Sequence, residues 1–270
     1  MPELPEVETV VRDLRPCLVG RVFADVQVRW AGAIHHLSPE ALTAQLVGRR
    51  ILALTRRGKY IIMTLSEGWY LLLHLRMSGQ LILREPALER QRHVRLVFRF
   101  DDGSCLYFVD QRKFGRVYLT QDPAEIIGRL GPEPLGENFD PQAFADMIRH
   151  RHGLIKPLLL NQFLIAGIGN IYADEALFAA GIHPRRRAHT LTAEETSRLY
   201  EAIRQVLQQG IANHGTTLDK FSDAHGRPGS NQESLTVFRR TDKACPRCGA
   251  PIERTVVGGR GTHYCARCQR

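Results

Sequence analysis

The sequence predicts an α+β protein of several domains, in which a helix and a β-sandwich come first and helices and a small cysteine ribbon follow. Three observations lead to this prediction. Between residues 21 and 120, short apolar or alternating runs separated by Gly and polar turns are typical of a sandwich. Beyond residue 131 the apolar spacing becomes helical, and four cysteines lie close to the end. A chain of 270 residues is long enough for more than one core.

The first predicted element is a helix that begins near Pro2 and stops at Gly20. Apolar residues between Leu4 and Leu18 follow helical spacing. Proline at a helix start, followed by Glu3 and Glu6, is ordinary chemistry that suits the helix dipole. For this segment considered alone, an ordinary helix start is favoured over a catalytic role.

The same segment also permits a catalytic interpretation. Removal of Met1 would leave Pro2 with a free secondary amine, and α-amino groups titrate near pH ~8. An unprotonated amine can attack an aldehyde-like carbon and form an iminium ion. Glu3 and Glu6, three residues apart, would share a helix face beside that amine.

The predicted strands of the sandwich follow, with one helix between them. Ser38 caps this helix, Pro39 takes its first position and Gly48 ends it. The predicted strands lie at residues 21–30, 50–54, 60–65, 69–75, 93–100, 105–109 and 116–119.

The run from Gly131 to Gly136, which contains two prolines, is the clearest linker signal in the chain. After it, helices are predicted from Asp140 to about Gly153, at 155–163, at 171–180, and from a Thr192/Glu195 capping box toward Asn213. Polar residues 222–234 predict a mobile loop. The predicted domains are therefore 2–130, 131–234 and 235–270.

Four of the six cysteines form a pattern typical of a metal site: Cys245, Cys248, Cys265 and Cys268. Two such pairs on hairpin turns place four thiolates around one ion, and a reducing compartment favours metal over disulfides. The prediction is one structural Zn²⁺. A disulfide-paired ribbon and an iron site are the alternatives. Cys17 and Cys105 are predicted to be buried small residues.

Charge points to a polyanionic partner. The chain has 37 basic and 28 acidic residues, and residues 235–270 contain eight basic against two acidic side chains. No apolar run approaches the ~20 residues that cross a bilayer, and no signal peptide is visible. We therefore expect a cytoplasmic protein without a membrane partner.

Several turns carry residue types that suit DNA. Gly167 and Gly169 precede a predicted helix, where Asn170 would cap while backbone N–H groups face a phosphate; a plain capped helix is the alternative. Met77 lies in one polar turn, and Arg112 and Phe114 lie in another. Apolar wedges with an arginine hold kinked DNA and fill the gap of an extruded base. Taken singly, such apolar residues are more often core.

These segments together resemble the formamidopyrimidine-DNA glycosylase family over essentially the whole chain. The opening Pro2–Glu8, the turns 74–79 and 110–115, the segment 167–175 and the cysteine ribbon match in order and in spacing. Five motifs in sequence make the resemblance specific. It implies a helix with a β-sandwich, a helix–two-turn–helix domain and a zinc finger.

The resemblance also implies a function and a set of site residues. The function is base-excision repair of oxidised purines by a glycosylase that also cleaves abasic sites, acting as a bacterial monomer on double-stranded DNA. The implied catalytic residues are Pro2, Glu3, Glu6, Lys59 and Arg260. The implied DNA-binding residues are Met77, His93, Arg112, Phe114, Lys156 and Asn170. From the residues alone, Lys59 reads as part of a solvated charge run.

Two departures concern the segment that closes over the damaged base in that family. The family commonly has an aromatic residue after a loop glycine, where this chain has Gly229 followed by Ser230. It also commonly has Tyr-Gly where this chain has Phe238 and Arg239, and Phe238 has no phenolic donor for a phosphate. Two alternatives stay open: an endonuclease VIII-like glycosylase for oxidised pyrimidines, and a non-catalytic DNA-binding protein.

Overall fold

A computed structural model describes residues 1–84 and 92–270. The chain forms two compact units. Unit 1 contains Met1–Gly128 and Asn213–Ser230, and unit 2 contains Arg129–Ala212 and Asn231–Arg270. The first change of unit lies just before the linker predicted at Gly131. The chain then returns to unit 1 for residues 213–230. The division into three domains, 2–130, 131–234 and 235–270, stays a prediction.

Unit 1 contains a helix, α1 (Leu4–Leu18), and two β-sheets. Its strands are β1 (Phe23–Val28), β2 (Ile34–His35), β3 (Ile51–Arg57), β4 (Tyr60–Leu65), β5 (Tyr70–His74), β6 (Gly79–Arg84), β7 (Val94–Phe100), β8 (Cys105–Asp110) and β9 (Arg116–Thr120). The sheet orders are β1-β7-β8-β6 and β2-β9-β5-β4-β3. One core joins side chains of both sheets, such as Phe98 and Leu73, with Leu14 of α1. The predicted helix and β-sandwich are confirmed.

The start of α1 differs from the prediction. Glu3 is the N-cap residue and Pro5 lies in the first turn, so Pro2 precedes the helix instead of starting it. The reason is a capping box in which Glu6 Oε2 accepts a hydrogen bond from Glu3 N at 2.8 Å. Glu3 therefore does not share a helical face with Glu6. Near the other end of the helix, Cys17 is half-buried and not buried as predicted, whereas Cys105 is buried.

Two strands were not predicted. β6 follows the Met77 turn and pairs with β8, and β2 is a two-residue strand parallel to β9. β2 is too short to show alternation, and β6 begins with Gly79 and Gln80 directly after a polar turn, which hides its start. Unit 1 also contains α2 (Pro39–Leu46), which Ser38 caps as predicted, and α3 (Ala124–Ile127).

Unit 2 is helical apart from its ribbon. Its elements are α4 (Pro141–Arg149), α5 (Ile155–Leu160), α6 (Asn170–Ala180), α7 (Ala193–Ala212), β10 (Glu253–Val257) and β11 (Arg260–Tyr264). Asp140 caps α4, and Thr192 and Glu195 exchange hydrogen bonds at the start of α7, as predicted. No helix in the described ranges has the length and apolar character needed to cross a bilayer.

The turn between α5 and α6 explains why α5 is shorter than predicted. Gln162 Oε1 accepts from Gly167 N, and Gln162 Nε2 donates to Ile168 O, so the chain leaves the helix after Leu160. The cap of α6 is Gly169, and Asn170 is its first residue. The prediction that Asn170 caps this helix is wrong, because Gly169 occupies the N-cap position and Asn170 is already helical.

Residues 222–234, predicted as a loop, contain local order. Asp223 Oδ1 accepts from the backbone N–H groups of His225 and Arg227, and its Oδ2 pairs with Arg227 Nε at 2.8 Å. Residues Asn231–Ser234 form a 3₁₀ turn. A short polar side chain that binds the following backbone is a common way to fix such a turn.

Candidate active site and nucleic-acid interface

The amino-terminal residues form a buried group in unit 1. Pro2 is buried, Glu3 is 2 % exposed and Glu6 is 1 % exposed. Glu6 Oε1 accepts from Thr216 N at 2.7 Å, while its other oxygen holds Glu3 N. Both oxygens of Glu6 therefore carry backbone hydrogen bonds. This arrangement fixes the segment with Pro2 against residues 213–230 and suits a positioning role.

Lys59 lies in the two-residue turn between β3 and β4, beside Gly58, whose φ is +57°. It is 7 % exposed and not part of a solvated charge run. The turn is fixed to α1 through Arg56, which donates to Glu8 Oε2 at 3.0 Å and to Gly58 O at 3.0 Å. Burial raises the pKa of Glu8, but hydrogen bonds and charges of Arg12 and Arg56 outweigh it and hold the pKa below 4.5.

His74 is a buried residue of this region that the sequence analysis did not single out as a site residue. Its Nδ1 accepts from Arg76 N at 3.0 Å, so the neutral ring carries its proton on Nε2. Burial, followed by the charges of Arg76 and Lys59, lowers the pKa of His74 to about 3. His74 is therefore a neutral donor near Lys59 at pH 7. The sequence signal that could have identified His74 as a site residue is its position at the end of a predicted strand, next to a basic motif.

Met77, Arg112 and Phe114 lie on two turns that are bound to each other. Met77 and Phe114 are each 44 % exposed, and the Arg112 guanidinium lies 4.8 Å from the centre of the Phe114 ring. These side chains are not core residues. Exposed apolar side chains beside an arginine are the features expected of a wedge that enters DNA.

Asp110 and Ser78 hold these two turns together. Ser78 Oγ donates to Asp110 Oδ1 at 2.5 Å, Gly115 N donates to Asp110 Oδ2 at 2.7 Å, and Arg112 N lies 3.1 Å from Ser78 Oγ. Asp110 is fully buried. The wedge side chains are thus supported by a buried carboxylate that the sequence analysis did not assign.

His93 lies beside this support. Its backbone has a φ of +79°, and its carbonyl accepts from Asp110 N at 2.9 Å. Burial, followed by the charges of Arg95 and Arg92, lowers the pKa of His93 below 6.5. The ring is half-buried and mainly neutral at pH 7, so it is suited to a hydrogen bond more than to a charge contact.

Lys156 occupies a different environment from the one predicted. It is fully buried, and its Nζ lies 2.6 Å from Asp174 Oδ1, 2.8 Å from Thr262 Oγ1 and 3.1 Å from Gly261 O. Three protein oxygens therefore surround the ammonium group, and Lys156 ties α5 and α6 to β11. Its contact with a DNA phosphate stays a prediction.

Asn170 and Arg260 are linked through the same strand. Asn170 Nδ2 donates to Gly261 O at 2.9 Å, directly after Arg260. Gly258 and Gly259, with φ of +56° and +73°, form the two-residue turn before Arg260, as the primed hairpin turns require. A side chain at Gly258 would lie 2.7 Å from Pro157. The exposed Arg260 is therefore presented by a hairpin held to α5 and α6.

The four ribbon cysteines converge on one point. Their Sγ atoms all lie within 4.8 Å of one another, with 3.8 Å between Cys245 and Cys268 and 3.5 Å between Cys248 and Cys265. Four thiolates at about 2.3 Å from a tetrahedral Zn²⁺ would be separated by about 3.8 Å. The residues present fit a closed structural metal site, and the chain has a metal-binding zinc-finger ribbon.

Comparison with known proteins identifies the family. Residues 1–117 match the formamidopyrimidine-DNA glycosylase N-terminal domain, 130–222 match its helix–two-turn–helix domain, and 242–270 match the zinc finger found in this family and in isoleucyl-tRNA synthetases. The chain belongs to the formamidopyrimidine-DNA glycosylase family. A member from Chloroflexus aurantiacus is 47% identical over 100% of this chain and 98% of its own length. One from Moorella thermoacetica is 51% identical over 94% of each chain.

Solved structures of this family have the same fold. A mutant Lactococcus lactis glycosylase in complex with DNA that contains Fapy-dG superposes with a TM-score of 0.93 at 36% identity, covering 100% of both chains. The L. lactis enzyme with abasic-site DNA gives 0.93 at 36% over 99% of each chain. Its complex with an oxidised pyrimidine in DNA gives 0.92 at 38% over 100% of each. The family membership confirms the predicted helix–two-turn–helix domain, and the chain is a DNA-repair glycosylase.

Proposed function

We propose that the chain excises oxidised purines from duplex DNA and then cleaves the abasic site, with Pro2 as nucleophile after removal of Met1. The observation that carries this proposal is the buried Pro2 directly before the Glu3/Glu6 capping box. The Pro2 nitrogen is thereby held in the same short segment as the Glu3 carboxylate at the N-cap of α1. Nucleophile and acid–base group within one short segment are the parts that covalent catalysis needs.

The proposed reaction proceeds by covalent steps in which the charges balance. The unprotonated Pro2 nitrogen forms a bond to C1′ of the extruded nucleotide, and the glycosidic bond breaks as the base leaves with a proton. Glu3 transfers protons to the sugar oxygen and leaving base. The resulting iminium ion acidifies C2′, and loss of that proton expels the 3′ phosphate. A second elimination, with loss of the C4′ proton, expels the 5′ phosphate, and water then hydrolyses the iminium and frees the Pro2 amine.

The remaining residues have supporting roles in the proposal. Lys59 and the neutral His74 donate to a phosphate beside the lesion, and Glu6 holds the segment of Glu3. Arg260 supplies a cation for a backbone phosphate. Met77, Arg112 and Phe114 fill the space of the extruded base, with Arg112 facing the orphaned partner. His93 and Asn170 complete the DNA contacts, and Lys156 positions the Arg260 strand.

The metal in the ribbon is proposed to be a single Zn²⁺ that has a structural role. Thiolates at this spacing select zinc or iron, and a closed four-sulfur site leaves no position for substrate. The proposal requires no metal in the covalent steps. The protein is proposed to act as a monomer on chromosomal DNA in the bacterial cytoplasm.

A second candidate function is excision of oxidised pyrimidines, favoured by the L. lactis complex with such a lesion. Lesion preference is separable from the lyase chemistry. Parallel rates on duplexes with 8-oxoguanine or an oxidised thymine decide between the two, and the purine should react faster.

Borohydride reduction with abasic-site DNA tests the proposal. Met1-free protein should form a covalent adduct that peptide mass spectrometry assigns to Pro2. The matched control is the same protein with Met1 retained, in which the Pro2 nitrogen is an amide and should give no adduct. Pro2→Gly should reduce the adduct yield but retain binding to a tetrahydrofuran-containing duplex. Binding without any adduct from the Met1-free protein would overturn the assignment of Pro2 as the nucleophile.

A further inference from the structure

Glu175 fixes the backbone segment that precedes the ribbon. This carboxylate is 6 % exposed and accepts four hydrogen bonds from three consecutive residues. Thr236 donates from its backbone N at 2.8 Å and from its hydroxyl at 2.5 Å, and Val237 N and Phe238 N donate at 2.9 and 2.8 Å. The chain at 236–238 therefore has one defined position, and the direction in which it continues is set by Glu175.

The next residue, Arg239, is exposed and has a left-handed backbone with a φ of +56°. A non-glycine residue with a long side chain is uncommon in this conformation, which glycine adopts without strain. Backbone strain at an exposed charged residue is a feature of functional sites, where the side chain is needed despite the strain. The strain at Arg239 therefore indicates a role for its guanidinium group.

The residue before Arg239 packs against the strand that carries Arg260. The ring of the preceding Phe238 is 5.1 Å from the ring of His263, in an edge-to-face arrangement. His263 is three residues from Arg260 along β11, a distance of about 10 Å at strand spacing. Asp174 holds His263 N at 2.9 Å, and the adjacent Glu175 holds the 236–238 segment. Consecutive acids of α6 thus hold both β11 and the segment that precedes Arg239.

We propose that Arg239 is a phosphate-binding residue that acts with Arg260 on one strand of the duplex. The two arginines lie on segments that pack together within unit 2. A guanidinium group offers up to five donors to phosphate oxygens. The Phe238 ring contributes by packing on His263 and not by a hydrogen bond. The proposal rests on the DNA-glycosylase function and extends its binding surface.

Binding of a duplex with a tetrahydrofuran abasic-site analogue, measured by fluorescence anisotropy over a range of salt concentrations, tests this proposal. Arg239→Gly and Arg239→Asn remove the charge but suit the left-handed backbone. Each should weaken binding about tenfold at low salt and reduce the log–log salt slope by about 0.9. Arg239→Lys should retain the slope. Arg21→Gln removes an equal charge from the exposed Arg21–Asp102 pair and should leave the slope unchanged.

Two further readouts keep the test separate from folding and from catalysis. The thermal midpoint of Arg239→Gly should equal or exceed that of the wild type, because glycine relieves the strained φ. The single-turnover excision rate at saturating enzyme should stay within twofold of the wild type. A wild-type salt slope in Arg239→Gly, or the same loss of slope in Arg21→Gln, would overturn the proposal. Failure of the Pro2 adduct would instead concern the function alone, since binding is measured without chemistry.

Discussion

At the scale of single residues, Glu6 has the contacts of a carboxylate that positions the backbone around it. Both of its oxygens accept backbone hydrogen bonds, from Glu3 N and Thr216 N. Glu6→Gln would place an amide NH₂ against one of these donors, and a buried unsatisfied group costs about 1–3 kcal/mol. We expect the free energy of unfolding, measured in urea, to fall by this amount. The Pro2 adduct should form about tenfold more slowly. Glu3→Gln is the control: it should abolish excision with little loss of stability.

His74 gives the protein a pH-dependent stability that a single substitution should reveal. Its pKa of about 3, against the usual 6.5, means that the unfolded chain binds a proton between these values and the folded chain does not. The stabilisation is therefore fully present above pH 6.5 and is lost as the pH falls toward 3, by about 1.4 kcal/mol per pH unit. The free energy of unfolding, measured in urea at pH 7, 6 and 5, should fall less steeply with decreasing pH in His74→Gln than in the wild type. Parallel losses in the two proteins would contradict this assignment.

At the scale of elements, the wedge depends on the turns that carry it. Asp110→Asn would keep the volume of the buried side chain but set an amide nitrogen against Gly115 N or against the Ser78 and Arg112 donors. We expect a loss of about 1–3 kcal/mol in unfolding free energy and weaker binding of abasic-site DNA. Arg112→Ala should weaken binding while changing stability by about 0.5 kcal/mol or less. Wild-type binding by Asp110→Asn would show that the turn geometry does not matter.

Element boundaries were predictable from sequence where local chemistry sets them. Ser38, Asp140 and the Thr192/Glu195 pair cap their helices because such caps need only a few neighbouring residues. Glu3 was misplaced because its capping box competed with a proline signal one residue earlier. The α5 end was missed because Gln162 stops that helix through bonds to the following turn.

Long-range contacts explain the larger differences at the site. In the sequence, Lys156 looks like a surface cation. In unit 2, however, it is enclosed by Asp174 and Thr262, which are distant from it in the sequence. Likewise, Asp110 was expected only as part of a polar turn, and its support of Ser78 depends on the β6–β8 pairing. The family of the chain could be predicted from motifs. The distinction between contact residues and positioning residues required tertiary structure.

At the scale of the whole molecule, the chain divides its functions between two units with different sources of stability. Unit 1 has a large apolar core shared by α1 and both sheets. The ribbon of unit 2 has a small cluster in which Cys245 and Cys265 pack with Phe178, Val237 and Ile252. A small element of this kind depends on its metal, since structural zinc contributes folding free energy directly.

Metal removal should therefore affect the two units unequally. Treatment with a strong chelator should release one equivalent of metal, measured by elemental analysis, and remove hydrogen-exchange protection from residues 242–270. DNA binding should fall by at least tenfold, because the strand that presents Arg260 loses its support. The sheets of unit 1 should keep their protection. Unfolding of the whole chain in one transition, or unchanged DNA binding after metal loss, would contradict this division and assign the ribbon a different role.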